Sequence, residues 1–105
     1  MNVTYLLNGL KLNDKEKEYL EKKLTKVNRF FRDYHNPDEL RVKIDINQDK
    51  KSFWIVEIML ETPTKIFRVV KSDKDFMTAV DLSHDALLKQ LRRFKDKLIT
   101  LRRRR

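Results

Sequence analysis

Apolar residues along this chain follow two spacings, one typical of strands and one typical of helices. Residues 3–7 are rich in β-branched and aromatic side chains and stop at Asn8-Gly9, a pair that favours a turn. Apolar and polar residues then alternate through residues 40–47 and again through 53–60, while residues 65–71 are rich in Ile, Phe and Val. The pattern predicts one strand at each of these places, with turns at "NQDKKS" and "ETPT".

Two other stretches repeat apolar residues every three or four positions, as one face of a helix does. The first follows Asn13, whose side chain can cap a helix while Glu16 reaches back to it, and it ends near Pro37. The second follows Ser72, with Asp75 three positions later as a second capping signature. The predicted apolar stripes are Leu20, Leu24, Val27, Phe31 and Tyr34 in the first helix, and Phe76, Val80, Ser83, Leu87, Leu91, Phe94 and Leu98 in the second.

The predicted fold class is α+β, with the element order β-α-β-β-β-α. A right-handed crossover makes strand one parallel to strand two, and the last three strands form a meander, so the four-stranded sheet is mixed. Both helices are expected to pack on one face of the sheet, which leaves their outer flanks in solvent. A length of 105 residues with 40% hydrophobic content fits one domain, and we expect residues 1–105 to form it.

Positive charge is concentrated towards the C-terminal end of the sequence. The chain carries 25 Lys and Arg residues against 16 Asp and Glu, a net charge of +9. Residues 87–105 hold nine of these cations and a single acid, so the remaining residues are almost neutral. Such asymmetry indicates a polyanionic partner, most often nucleic acid, although an anionic membrane surface would also attract it.

Helix geometry sorts the cations onto exposed flanks, at about 100° per residue. Like charges spaced by four cost about 0.2–0.5 kcal/mol per pair, so their repetition favours a binding role over a merely solvated surface. Rows of Lys and Arg bind phosphate backbone by releasing its counterions. The cations are Lys15, Lys22, Lys26 and Arg29 on one flank of the first helix, with Asp33 among them, and Lys89, Arg93 and Lys97 in one row of the second, with Arg92 and Lys95 elsewhere on its exposed surface.

Several classes of function lack the residues they need. Without cysteine there is no disulfide, thiolate nucleophile or Cys-based zinc site, and the one glycine, Gly9, excludes phosphate-cradling loops. His84 lies near Asp81 and Asp85, but neither it nor His35 has a His or Cys partner at ligand spacing. We expect both histidines at the surface or a helix edge, and Asp85 paired with Lys89. No enzymatic activity, metal, cofactor or small-molecule substrate is expected.

The N-terminus "MNVTYLLNGLKL" lacks the basic start and long apolar run of an export signal. No apolar stretch is long enough to cross a bilayer. We therefore expect a cytoplasmic protein without a membrane partner.

Two segments resemble ribosome hibernation promoting factors, also called ribosome-associated inhibitors. "NGLKLNDKEKEYLEKKLTKVNRFF", residues 8–31, is similar to the opening strand-to-helix segment of that family. "DFMTAVDLSHDALLKQLRRFKDKL", residues 75–98, resembles its last helix, and "VEIML" resembles its third strand. The resemblance covers almost the whole chain.

The resemblance implies a fold like a double-stranded-RNA-binding domain and a role in translation regulation during stress or stationary phase. It implies binding in the decoding channel of the small ribosomal subunit through 16S rRNA, where the domain blocks mRNA and tRNA binding and reversibly inhibits translation. The implied RNA-binding residues are Lys22, Lys26, Arg29, Lys89, Arg92, Arg93, Lys95 and Lys97.

Some features depart from the family pattern or stay open. Ala86 stands where lysine is common, and Met77 where tyrosine is common. Long members of the family carry a further dimerisation domain, so we expect this chain either to pair ribosomes with a separate dimerising factor or to stabilise idle single ribosomes, and to be a monomer off the ribosome. The basic tail Arg102 to Arg105 is interpreted as a phosphate-binding arm or a disordered end.

Three alternatives to a ribosome-binding inhibitor remain at this point. A generic double-stranded-RNA-binding module would bind free duplexes as well as ribosomes. An anionic-membrane-surface protein would use the terminal helix, although its apolar stripe is committed to the sheet. A modulator of a transcription sigma factor would act through protein partners.

Overall fold

The chain folds in the order β-α-β-β-β-α that its apolar pattern predicts. The computed structural model describes residues 1–31 and 37–103, without the side chains of residues 37 and 98–103. Each observed strand lies within a residue or two of its predicted bounds. The elements are β1 (Asn2–Leu6), α1 (Asp14–Phe31), a short 3-10 helix (Pro37–Glu39), β2 (Arg41–Gln48), β3 (Trp54–Glu61), β4 (Ile66–Asp73) and α2 (Phe76–Arg103).

The four strands form one mixed sheet in the order β1-β2-β3-β4. β1 pairs with β2 in parallel, and β2, β3 and β4 pair in an antiparallel meander, as predicted. The register places Ile44 opposite Ile58, and Ile58 opposite Val69. Because side chains on opposed positions share a face, the apolar positions of all three strands point to one side of the sheet.

Both helices pack on that apolar face, which confirms the predicted layering. Their stripes and the strand residues form one buried cluster. Ser83 is buried within it, and its hydroxyl donates to the Val80 carbonyl at 2.9 Å, so the polar group is satisfied. Phe94 is half-buried and meets Phe67 edge to face at 5.4 Å between ring centroids. Tyr34 and the Leu98 side chain, predicted in the stripes, lie outside the described residues.

The start of α1 follows the predicted capping box. The Glu16 backbone N–H donates to the Asn13 side chain at 2.8 Å, and the Asn13 N–H donates to the Glu16 carboxylate at 2.9 Å. Before it, Asn8 and Gly9 both adopt positive φ, 53° and 82°, and Leu10 N–H donates to Leu7 O at 2.9 Å. This closes the predicted turn and sends α1 back across the sheet.

The prediction that Ser72 caps α2 is wrong. Ser72 lies in β4 opposite Ile55, because the β3–β4 ladder continues to Asp73 and holds Ser72 extended. Asp75 is the cap instead: its carboxylate accepts from the backbone N–H of Thr78 at 3.0 Å and from the Thr78 hydroxyl at 2.8 Å.

α2 is longer than the sheet beneath it. Its 28 residues span about 42 Å, whereas an eight-residue strand spans about 27 Å. Trp54 packs on Phe76 at one end, and Phe67 packs on Phe94 near the other. The turns that follow Phe94 therefore project past the β3–β4 turn.

Candidate nucleic-acid interface

α1 and α2 lie side by side and run in the same direction. Near their starts, Tyr19 and Lys23 of α1 contact Asp81 of α2. Further along, the Lys95 ammonium of α2 lies 5.4 Å from the centroid of the Phe30 ring of α1. The N-terminal halves of the two helices contact each other, and so do their C-terminal halves, so the helices are parallel. Between them they form a groove that opens away from the sheet.

One cluster of polar side chains ties the two helices together. The Tyr19 hydroxyl donates to the Asp81 carboxylate, and the Lys23 ammonium lies 3.0 Å from the same oxygen. Burial alone would raise the pKa of Asp81, but the hydrogen bonds from Tyr19 and Lys23 outweigh it and leave that pKa below its ordinary value. The hydrogen bond to Asp81 raises the pKa of both Lys23 and Tyr19. The positive charge of Lys23 is thus balanced by Asp81, and this ion pair links α1 to α2.

His84 was predicted at the surface or a helix edge, but it is buried, with 3% of its area exposed. Burial lowers the pKa of His84, and the nearby Lys23 adds to that effect, while Asp85 opposes it. The imidazole Nδ1 lies 3.6 Å from the Asp85 carboxylate. Among the described residues no ion pair joins Asp85 to Lys89, so that predicted pair is wrong. His35 lies outside the described residues.

The α1 cations point outwards beside α2. Lys22, Lys26 and Arg29 are all exposed, as predicted. Lys26 is near enough to α2 to contribute to the lowered pKa of His84. Glu21 lies on the other side of α1, close enough to Tyr5 of β1 to raise the pKa of Tyr5, although burial has the larger effect on that pKa.

The predicted α2 cations divide between two sides of the helix. Arg92 follows Asp81 by eleven residues, or three turns, so it shares the side that faces α1, as does Lys95 over Phe30. Together these cations form what we call the groove surface: Lys22, Lys26, Arg29, Arg92 and Lys95.

The remaining α2 cations lie on the side away from α1. The Gln90 amide donates to Arg68 O of β4 at 3.3 Å, which fixes that side of α2 against β4. Arg93 and Lys97 follow Gln90 by three and seven residues and share its side. Lys89 lies between the two sides, on the outer crest. The predicted row Lys89, Arg93 and Lys97 therefore winds from the crest towards β4 and away from the groove.

Lys65 is a cation that sequence reasoning missed. Its ammonium lies 5.1 Å from the ring centroids of both Phe67 and Phe94, which places it beside the Arg93 and Lys97 side of α2. In the sequence it is one lysine at a strand start, and only the β3–β4 turn brings it to α2. We call Lys65, Arg93 and Lys97 the β4-side surface.

The structure shows the surroundings of the two residues that depart from the family pattern, Met77 and Ala86. Met77 is 37% exposed in the first turn of α2. Ala86 is half-buried against the core. The side chains of Arg102 and Arg103, and Arg104 and Arg105 entirely, lie outside the described residues. Within the part of the chain that the structure describes, neither helix is long and apolar enough to cross a membrane.

The geometry suits binding of an extended polyanion. Exposed cations lie on both sides of a long helix whose apolar face is anchored in the core. Arg can grip phosphate through paired N–H groups, and Lys adds charge without directional demand.

Comparison with known proteins identifies relatives over nearly the whole chain. Residues 3–99 match the family model described as sigma 54 modulation protein / S30EA ribosomal protein. The crystal structure of the Thermus thermophilus Protein Y N-terminal domain is 30% identical, with a TM-score of 0.73 over 90% of this chain and 99% of that one. A ribosomal subunit interface protein from Coxiella burnetii shares the fold at 23% identity, with a TM-score of 0.65 over 91% of this chain and 99% of that one.

Proposed function

The protein belongs to the sigma 54 modulation protein / S30EA ribosomal protein family of ribosome-associated modulation proteins, and from that premise we propose that it is a ribosome hibernation factor. In this proposal the domain binds the decoding channel of the small subunit through 16S rRNA, blocks mRNA and tRNA binding, and reversibly inhibits translation. It acts in the cytoplasm, by occupancy and without catalysis.

The observation that carries the proposal is the placement of the cations. Two parallel helices are fixed on one sheet face by a buried cluster and by the Tyr19, Lys23 and Asp81 contacts. Their exposed cations therefore keep fixed positions without an entropy cost of ordering the backbone on binding. Fixed cations favour a folded RNA of matching shape, because shape rather than base sequence distinguishes structured RNA.

The partners follow from the same picture. Residues 1–105 act as one ribosome-binding domain that is a monomer off the ribosome. The domain either cooperates with a separate dimerising factor or stabilises idle single ribosomes. The proposed contacts are Lys22, Lys26, Arg29, Lys89, Arg92, Arg93, Lys95 and Lys97.

Sedimentation tests the proposal. The protein should travel with small subunits and whole ribosomes in a sucrose gradient at low salt, and leave them as salt is raised. Exchange of Lys89, Arg92, Arg93 and Lys97 for Glu should abolish co-sedimentation and leave thermal stability nearly unchanged. The matched control exchanges four exposed lysines away from both cationic surfaces, Lys11, Lys17, Lys50 and Lys51, for Glu.

Two outcomes would contradict the proposal. A wild-type protein that stays at the top of the gradient is not a ribosome-binding factor. Equal binding to free RNA duplexes and to ribosomes would favour a generic double-stranded-RNA-binding module instead.

A further inference from the structure

The two edges of the sheet differ in what borders them. β1 forms one edge and β4 the other. At β4, Lys65 and Lys71 are exposed, and the Gln90 amide of α2 donates to a β4 carbonyl. β1 contains neither a charged residue nor a proline, the residues that natural proteins often place on an edge strand to prevent further pairing. β1 is therefore the edge that is open to another strand.

The outward-facing backbone groups of β1 belong to Val3 and Tyr5. The Asn2 N–H donates to Leu40 O at 2.9 Å, so the backbone of Asn2 faces β2. In a strand the N–H and C=O of one residue point to the same side, and those of the next residue point to the opposite side. Val3 and Tyr5 therefore present two donors and two acceptors to solvent, in the arrangement that an extended chain pairs with.

A cleft lies beside these groups, between β1 and α1. Two adjoining hollows of about 430 and 140 Å³ form it, and Tyr5 and Glu21 line both. Because the Val3 and Tyr5 side chains lie on the core face of the sheet, alternate side chains of an added strand would point into this cleft. We call it the β1 cleft, and its main lining residues are Val3, Tyr5, Leu7, Leu20, Glu21 and Leu24.

The side of α1 that borders the β1 cleft is mainly acidic. Asp14 and Glu18 precede Glu21 by seven and three residues, so they share its side of the helix. Lys17 precedes Glu21 by four residues and is the one cation there. Within residues 1–31 and 37–97 the exposed Glu21 carboxylate forms no ion pair. These charges repel phosphate and attract a basic partner.

Asn28 supplies a second sign that the β1 cleft is incomplete. It lines the larger hollow, and its buried Oδ1 accepts no hydrogen bond from the part of the chain that the structure describes. Buried acceptors are rarely left unbonded in folded proteins. A donor from a segment bound in the cleft would satisfy this oxygen.

We propose that β1 binds an extended basic peptide segment of another protein as a fifth strand, with apolar side chains of that segment in the β1 cleft and its cations beside Glu21. Backbone pairing supplies affinity in this mode of recognition, and the side-chain pockets supply specificity. A second copy of this chain fits the edge less well, because two β1 strands side by side would bring the acidic sides of two α1 helices together. The inference goes beyond the proposed function and does not depend on it.

A synthetic peptide tests the inference on the intact protein. The probe is a short peptide in which valine alternates with lysine, and the matched control carries glutamate in place of each lysine. Hydrogen exchange measured by NMR should slow by about tenfold or more at the N–H groups of Val3 and Tyr5 when the lysine peptide is saturating. The glutamate peptide should leave both N–H groups unprotected. Absence of protection with the lysine peptide, or protection at β4 instead, would overturn the inference.

Two variants separate the backbone contact from the charge contact. Val3→Pro removes one outward-facing donor and keeps the bonds to β2, at a position where an edge strand tolerates proline, and should weaken peptide binding by about fivefold or more. Glu21→Lys should weaken it by about fivefold at low salt. The control, Asp85→Lys, makes an equal charge change on α2 and should bind like the wild type. Thermal unfolding shows whether Val3→Pro folds, and Glu21→Lys carries the test by itself if it does not. Wild-type affinity in Glu21→Lys would contradict the proposed charge contact and overturn the inference.

Sedimentation of the protein alone tests the competing occupant. The wild type should stay monomeric as its concentration is raised. A concentration-dependent dimer that Val3→Pro abolishes would assign β1 to a second copy and overturn the peptide inference. None of these measurements uses ribosomes, so their failure leaves the proposed function standing, and a protein that fails to bind ribosomes leaves this inference standing.

Discussion

Removing the Asp81 carboxylate should loosen the contact between the two helices. The Tyr19 hydroxyl and the Lys23 ammonium both bond to this one side chain, and they are the polar link between α1 and α2 near their starts. Asp81→Ala leaves both groups without their partner. The same change should let the cations of the groove surface take up a wider range of positions, because among the described residues only apolar contacts would then join the helices near their starts.

The expected cost follows from the exposure of the three groups. A hydrogen bond to a charged group contributes about 1.5–3 kcal/mol when it is desolvated. The Lys23 side chain is 20% exposed and that of Asp81 42%, so solvent screening keeps the ion pair in the surface range of about 0.2–1 kcal/mol. Because Asp81 is partly exposed, the contribution of the hydrogen bond from Tyr19 also lies at the lower end of the range for bonds to charged groups. We expect Asp81→Ala to lower the free energy of unfolding by about 2 kcal/mol.

Urea unfolding followed by circular dichroism measures this loss. Tyr19→Phe should cost about 1 kcal/mol alone, and the double variant should cost less than the two single changes together because both remove one bond. Asp85→Ala is the control, since that exposed side chain should change stability by less than about 0.5 kcal/mol. Strict additivity of the Tyr19 and Asp81 changes would refute the claim that they form one link between the helices.

Three further changes probe the cap, the core and the buried histidine. Asn13→Ala removes half of the capping box and should cost about 1 kcal/mol in urea unfolding; a neutral result would show that the α1 start is held by packing alone. Leu91→Ala opens a cavity at a fully buried position and should cost about 2–5 kcal/mol, whereas Met77→Ala at an exposed position should cost little; equal costs would contradict the assigned core face. Burial lowers the pKa of His84 in the folded state, so the unfolded state takes up a proton first as pH falls below the ordinary value of 6.5. Stability should therefore be constant above that pH and decline below it, and His84→Leu should flatten the decline; an unchanged pH profile would mean that the decline arises elsewhere.

Much of the fold was predictable from the sequence because its local signals agree with one another. The alternation of apolar and polar residues in β2 and β3 identifies both segments as strands and shows which face of each is buried. The apolar stripes identify α1 and α2 as amphipathic helices. Asn13 and Glu16 mark a helix start because their reciprocal bonds need only local geometry. The prediction that Ser72 caps α2 failed because a capping signature is local and contains no information on strand pairing. The pairing of Ser72 with Ile55 of β3 holds it in β4 instead.

The site was predictable only in part, for a related reason. Helical spacing shows which cations of a helix are exposed, but it does not show which other helix or strand lies beside each side of that helix. Arg93 and Lys97 belong with Lys65 only because α2 lies over β4, a tertiary fact. The burial of His84 and the link through Asp81 likewise depend on how close α1 approaches.

The bond from Gln90 to Arg68 O has a consequence for how the free protein behaves when crowded. β4 is the last strand of the sheet, and an uncovered last strand offers backbone groups on which another chain can extend the sheet. Here one of those carbonyls already accepts a hydrogen bond from a side chain of α2, and exposed Lys65 and Lys71 place like charges along the same border. Two copies meeting there would repel one another before their backbones could pair. The side chains that border β4 thus protect the protein from aggregation by strand addition.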